Sequence, residues 1–259
     1  MNRTNSPALL GPSDPPPFRV IEPRESSPFL LAADHAGRAI PAALGSLGVS
    51  AGALDTHIAW DIGIASVTER LAEKLSAFAI VQSYSRLVID CNRPLHVHSS
   101  IATLSEHTEI PGNVGVTPEQ AAQRAREIFE PYHARILAEV ERRERAAERI
   151  VYVAMHSFTP RFKGLDREWE MGVLYHRDRR LADRLLELLP KEGLRVGDNQ
   201  PYFVSDETDY AVPTYGEKRG HVHVELEIRQ DLIATAEGQE KFALMLARVL
   251  PLAAAPFLT

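Results

Sequence analysis

Four stretches of the chain share one form, an apolar run that ends abruptly in side chains able to carry charge or bind a metal. Phe29-Leu-Leu-Ala-Ala runs into Asp34 and His35, and Leu87-Val-Ile into Asp90, Asn92 and Arg93. Ile150-Val-Tyr-Val-Ala-Met runs into His156, Ser157 and Thr159, and the segment from Val222 carries Glu225, Glu227, Arg229 and Asp231. Short apolar runs of this kind predict buried strands near 28–33, 86–90, 150–155 and 222–228. Phe78 to Gln82 and Gly193 to Gly197 predict two more.

Helical spacing fills the intervals. Ile64, Val67, Leu71 and Leu75 predict a helix within 61–77. Thr117-Pro-Glu-Gln120 is a helix start, with Thr117 as N-cap, Pro118 at the first position and Gln120 completing a capping box. The helix behind it carries Ile128, Leu137 and Val140 on one side. Its other side is crowded with Glu and Arg through Arg149, and the run Glu141 to Arg145 reads as a solvated face. Residues 176–189 and 237–250 predict the last two helices. Such alternation predicts an α/β fold: a single-domain three-layer sandwich around a central mixed, largely parallel sheet. Residues 1–17, ending in Asp14-Pro-Pro-Pro17, read as a flexible lead-in, and 18–259 as one domain. The stretch 95–116, with His96, His98 and His107, lacks periodicity and reads as a substrate loop.

Composition removes several function classes. A net charge of −6 argues against a nucleic-acid partner. No apolar run approaches the ~20 residues of a membrane span, and no signal-like apolar segment follows the start, so the expected location is cytoplasmic. The single cysteine, Cys91, excludes an internal disulfide and a multi-cysteine zinc site. Nucleotide-binding glycine loops and a GxSxG elbow are absent from the sequence. His156 and Ser157 are adjacent on a strand and face opposite ways, so they do not make a nucleophile–base pair.

The polar strand ends fit a metal site better. Hydrolytic zinc is commonly held by two histidines and one carboxylate with a position left open. His35 and His156 supply the histidines; Asp61, in His57-Ile-Ala-Trp-Asp61, is the chosen carboxylate, with Asp34, Asp55 and His57 as rivals. Alternation places His221, His223, Glu225 and Glu227 on one face of the last strand. Glu227, nearest its end, is the expected general base. Arg93, between Asn92 and Pro94, is a planar fork suited to a carboxylate.

Together, Asp34-His-Ala-Gly37, Leu54 to Gly63, Ser85 to Pro94, His156-Ser-Phe-Thr-Pro160 and Leu226 to Leu232 resemble the N-formylglutamate amidohydrolase family over about residues 28–235. The resemblance implies a phosphorylase/hydrolase-like fold with kinship to zinc carboxypeptidases and to the aspartoacylase group. In that wider group an Asn–Arg pair grips the substrate carboxylate, matching Asn92 and Arg93. A late histidine ligates zinc, matching His156, and a late glutamate is the base, matching Glu227. Where the group carries Glu three residues after its first histidine, this chain has Arg38. Where the members of histidine degradation read His-Ser-Gly, it has His35-Ala-Gly37, and its Ile58-Ala-Trp-Asp-Ile-Gly63 version marks a side branch.

The expected activity is metal-dependent hydrolysis of an N-acyl amino acid such as N-formyl-L-glutamate. One zinc or other divalent transition metal per chain is held by His35, Asp61 and His156. Glu227 moves the proton, Arg93 with Asn92 binds a substrate carboxylate, and Arg86 or Arg229 takes a second carboxylate or the oxyanion; Arg86 can equally serve as the partner of Asp90. The alternatives are a hydrolase of a different N-acyl amino acid and, motivated by Arg38, a non-catalytic binding protein for small acidic metabolites.

Overall fold

The structure is a computed structural model and describes residues 8–258. Strands β1 (Phe18–Ile21), β2 (Phe29–Ala33), β3 (Phe78–Gln82), β4 (Val151–Phe158), β5 (Met171–Leu174), β6 (Val196–Asp198) and β7 (Val222–Arg229) form one sheet in the order β1-β3-β2-β4-β7-β5-β6. The middle four, β3, β2, β4 and β7, run parallel. β1 joins β3 antiparallel, β5 joins β7 antiparallel, and β6 runs parallel to β5.

The sheet is mixed, its centre is parallel, and helices cover both faces. Phe29, Leu31 and Ala33 of β2 pack with Val151, Val153 and Met155 of β4 against α1 (Ile64–Leu75), α3 (Arg180–Leu188) and α4 (Ala236–Ala254). Leu30, Ala32, Tyr152 and Ala154 face the other way, onto the long helix α2. That helix runs from Pro118 to Arg145 through one wider turn at Ala125–Phe129, and opens with the predicted Thr117–Gln120 capping box. Burial on both faces is why the central strands read as unbroken apolar runs. In β7 the alternation separates Val222, Val224, Leu226 and Ile228, all in the core with α4, from His223, Glu225 and Glu227 on the α2 side.

Three expectations change. Residues 86–90 form no strand. Leu87, Val88 and Ile89 are buried, but Ser85 folds the chain into a turn: its hydroxyl accepts the Leu87 N–H and its carbonyl the Val88 N–H. A short apolar run does not distinguish a strand from a loop tucked under the sheet edge. Arg143, read as part of a solvated face, is buried and donates to Glu139 and to the carbonyls of Ser27 and Phe29, so it fixes the start of β2. Strands β1 and β5 lie where no strand was expected. The lead-in falls partly outside the described residues; in the described part, the Leu9 and Leu10 N–H groups donate to Glu127, and the Tyr84 hydroxyl donates to the Pro15 carbonyl. Among the described residues no helix is long and apolar enough to cross a membrane.

One buried histidine couples the α2 layer to the turn at 86–92. His133 donates Nε2–H to the Cys91 carbonyl at 2.8 Å, and its Nδ1 meets the Tyr215 hydroxyl at 2.9 Å. Burial, opposed by the Cys91 carbonyl, lowers its pKa to about 3. The unfolded chain takes up that proton near the ordinary value of about 6.5. The stability that the neutral ring contributes is therefore complete above about pH 6.5 and is lost as pH falls towards 3, at about 1.4 kcal/mol per unit. His133→Gln keeps a donor and lacks the titration. The melting-temperature gap between wild type and this variant, followed by circular dichroism, narrows between pH 8 and pH 4.5; a constant gap would refute the assignment.

Candidate active site

The carboxyl ends of β2, β4 and β7 and the start of α1 converge on the α2 side of the sheet. β2 ends in Asp34 and His35, and β4 carries His156 two residues beyond Ala154 on the same face. Asp61 sits just before α1, brought in by its own N–H, which donates to the His35 carbonyl at 2.8 Å. The two residues between Asp61 and α1 end in Gly63 (φ +84°), where a Cβ would stand 2.3 Å from the Ile233 carbonyl oxygen. Only glycine fits that turn.

His35, Asp61 and His156 are buried, and one donor atom from each lies within 4.8 Å of the others. Asp61 Oδ2 is 3.0 Å from His156 Nδ1, 3.7 Å from His35 Nδ1 and 3.1 Å from the Ser157 N–H that it accepts. On the far side of the His35 ring, Nε2 meets Asp90 Oδ1 at 2.7 Å. That carboxylate holds the proton on Nε2 and leaves the Nδ1 lone pair facing Asp61, the arrangement that orients a metal-ligating histidine. The neighbour at Nδ1 is Arg86 NH1 at 3.3 Å, a long contact that a bound cation would displace. Two imidazole nitrogens and one carboxylate, all buried and converging, suit a divalent transition metal. Behind His156, Asp34 Oδ2 lies 3.9 Å from Nε2, and its other oxygen accepts from the Tyr132 hydroxyl at 2.6 Å.

The electrostatics match a cluster built around positive charge. Burial pushes the Asp61 carboxyl up, but hydrogen bonds from His156 and His35 outweigh it and hold it below the ordinary range. Burial also raises Asp90, and the charges of His35 and Arg86 pull it well down. Three carboxyls go the other way, Asp34 among them, raised by burial. Glu227 is pushed up to about 8 by burial, with His156 opposing, Asp61 adding, and Arg86 and Arg167 opposing. Glu225 is raised by burial and then by Asp209. Glu227 pairs in register with His156 on β4 and with Gly172 on β5, where a Cβ would stand 2.3 Å from the Gln200 carbonyl oxygen. One oxygen of Glu225 and one of Glu227 are buried with no hydrogen-bond partner.

His35, Asp61, His156, Asp90, Glu225 and Glu227 line one cavity of about 450 Å³, whereas Asp34, Tyr132 and Arg167 are not among its lining residues. Of the remaining sequence candidates, Arg86, Asn92 and Arg93 also reach its wall. Arg86 NH2 donates to Asp90 at 2.8 Å. Arg93 donates to the carbonyls of Asn92 and Thr208 and lies 3.9 Å from Asp209. The Asn92 amide oxygen accepts from the Tyr210 and Ala211 N–H groups, and its nitrogen donates to Asp209, so it shapes the loop against which Arg93 rests. Arg229 stays outside the cavity lining: it pairs with Asp231 at 2.8 Å and donates to the carbonyls of Arg167 and Trp169. Arg38 is on the surface with Asp55, against Trp60, so neither Arg38 nor Asp55 belongs to the cluster. His57 pairs with Glu106 at the rim, at 3.1 Å. Cys91 is buried and its thiol is raised well above the ordinary value by burial.

Several contributors were not legible in the sequence. Asp90 was read against Arg86 and turns out to hold His35 as well. Asp209, Tyr202 and Arg167 sit in irregular loops that carry no periodic signal. Pairing of Glu106 with His57 joins a small hairpin, Leu104–Ser105 with Thr108–Glu109, to the cavity rim.

The family model for N-formylglutamate amidohydrolase matches residues 27–234. A crystal structure of a gene product from Agrobacterium tumefaciens is 34% identical and superposes with a TM-score of 0.93, over 96% of this chain and 99% of that one. The crystal structure of N-formylglutamate amidohydrolase from Ralstonia eutropha superposes with a TM-score of 0.66 at 17% identity, over 92% of this chain and 97% of its own, and so shares the fold. No curated protein sequence matches the chain.

The ligand geometry makes a prediction independent of catalysis. Titrated with zinc against a chromophoric chelator, the wild type binds about one ion per chain and His156→Ala loses the site. Asp90→Asn, which removes the carboxylate behind His35, weakens binding by about 10- to 100-fold. Unchanged affinity in Asp90→Asn would show that His35 Nδ1 is not a ligand.

Proposed function

This chain belongs to the N-formylglutamate amidohydrolase family, and on that premise we propose that it hydrolyses the amide bond of a small N-acyl amino acid. The finer form of this reading is release of formate and the free amino acid from N-formyl-L-glutamate. The observation that carries it is the buried His35–Asp61–His156 cluster opening into a cavity beside Glu227. Asp61 supplies the carboxylate that Arg38 does not, which removes the motive for a binding protein without a metal.

His35, Asp61 and His156 would hold one zinc or similar divalent ion, whose chemistry is polarisation of the acyl carbonyl and acidification of water. The protein's own groups perform the rest. Asp90 fixes the His35 ring, and the Ser157 N–H fixes the Asp61 carboxylate. Glu227 takes a proton from the attacking water as its oxygen bonds to the acyl carbon. It then delivers that proton to the amide nitrogen as the C–N bond breaks, giving a carboxylic acid and an amine. Arg93 sits at the cavity wall with its guanidinium anchored by main-chain carbonyls, placed to bind the amino-acid carboxylate.

A panel of formyl, acetyl and succinyl amino acids, assayed with the zinc-loaded protein, tests the reading. Glu227→Gln lowers kcat by about 10²- to 10⁴-fold with metal content and melting temperature unchanged. Arg93→Ala acts mainly on KM. Failure of every substrate in the panel would sink the proposal, as would full activity in Glu227→Gln.

A further inference from the structure

Behind the His35–Asp61–His156 cluster, buried polar atoms gather that have no hydrogen-bond partner among the described residues: Asp34 Oδ2, His156 Nε2, the Tyr152 hydroxyl and one oxygen of Glu225. All four side chains are more than nine-tenths buried. Folded proteins leave few such atoms unsatisfied, because each one forfeits its bonds to water. The sequence leaves room beside them. Ala32 of β2 and Ala154 of β4 pair in register on the α2 face, and Ala154 also pairs with Glu225 of β7. Tyr152 and His156 stand two residues to either side of Ala154 on that face, and Asp34 stands two residues beyond Ala32. Two methyl groups thus make a low floor among tall polar side chains. Helix α2 lies over this face, and its Tyr132 hydroxyl donates to Asp34 Oδ1 at 2.6 Å.

This floor is set apart from the substrate cavity. His156 and Glu225 line that cavity, whereas Asp34, Tyr132 and Tyr152 do not, so the two lining side chains form the partition. From Asp34 Oδ2 to His156 Nε2 is 3.9 Å, too long for a direct hydrogen bond and suited to one intervening water. A buried water typically makes about three hydrogen bonds, and the unpartnered atoms supply them. Burial first, and then the charges of Asp34, Tyr215 and Glu225, raise the Tyr152 hydroxyl well above its ordinary value, so both carboxyls lie within its electrostatic reach. The two histidines differ in what stands behind them. A ring that offers Nδ1 to a cation carries its proton on Nε2, and that proton needs an acceptor. His35 has Asp90 for this at 2.7 Å, and His156 has no direct acceptor among the described residues.

We infer that a buried water site lies over Ala32 and Ala154, and that Asp34 is a positioning residue that holds the His156 ring through that water. The water accepts from His156 Nε2–H and donates to Asp34 Oδ2, and Asp34 is itself anchored by the Tyr132 hydroxyl. Tyr152 and Glu225 complete the surroundings of the water. Asp34 thereby does for His156, at one remove, what Asp90 does for His35, and the Nδ1 lone pair of each ring is left facing Asp61. This inference rests on the proposed function only for His156 as a metal ligand; the identity of the substrate does not enter.

A high-resolution crystal structure of the zinc-loaded full chain shows an ordered water within hydrogen-bond distance of both Asp34 Oδ2 and His156 Nε2. A dry gap, or direct contact between the two side chains, overturns the inference before any variant is made. Proton NMR of the same protein shows the imidazole N–H signals of His35 and His156, both protected from solvent exchange. Asp34→Ala loses protection at His156 alone and weakens zinc binding by about 10- to 100-fold. Asp34→Asn, which keeps an acceptor oxygen, restores part of both. An unchanged His156 signal and zinc affinity in Asp34→Ala overturn the inference. Loss of both histidine signals together also overturns it, because a merely structural residue does that. Should Asp34→Ala fail to fold, Tyr132→Phe releases Asp34 from its anchor: faster exchange at His156 alone supports the inference, and unchanged exchange overturns it. A chain with this water and this signal that hydrolyses no N-acyl amino acid would refute the proposed reaction and leave the role of Asp34 standing.

Discussion

A single buried carboxylate, Asp61, ties together the parts on which the site depends. Its N–H reaches the end of β2, its Oδ2 accepts from the end of β4, and three residues later α1 begins. An ionised carboxylate without partners is expensive to bury, so the donors around Asp61 are a condition of the fold as well as of its chemistry. The need extends outward. His35 and His156 must be held for Asp61 to be satisfied, and Asp90, Arg86 and Asp34 stand behind them. Charge of both signs accumulates in the cluster because each member answers the previous one.

The sheet explains why these groups meet. Its two faces are buried differently. On the α1 side the inward positions of β2, β4 and β7 are apolar as far as Ser157 at the end of β4, and the core is continuous. On the α2 side the apolar core of β4 stops at Ala154, where His156 follows, and β7 presents His223, Glu225 and Glu227 throughout. The parallel register places Glu227 opposite His156 without any loop being involved. Rigid strands thus position Glu227 and His156, while turns supply Asp61 and Asp90.

Much of this could be read from residue order alone, for a physical reason. β2, β4 and β7 are buried on both faces, so their apolar runs and abrupt polar ends are visible in the sequence, and with them His35, His156 and Glu227. The run Leu87-Val88-Ile89 carries the same signature without being a strand, since burial, not strand geometry, dictates it. Asp61 was chosen for its chemistry, and the alternatives Asp34, Asp55 and His57 were equally compatible with the residue pattern. What separates them is tertiary: Asp34 lies behind His156, Asp55 on the surface and His57 at the rim.

The span of the cluster also bears on how the chain reaches its native state. Its members run from residue 35 to residue 156 and meet when β4 pairs with β2, and Glu227 joins them only when β7 pairs with β4. Closing so long a stretch of chain carries an entropic penalty that must be met before the native contacts repay it, and parallel pairings of this separation form slowly. Thr235 caps α4 immediately after β7, so the helix that covers the far face of the sheet is laid down in the same late step. A divalent ion therefore has no preformed cradle until β4 lies beside β2, and its capture reports that pairing instead of nucleating it.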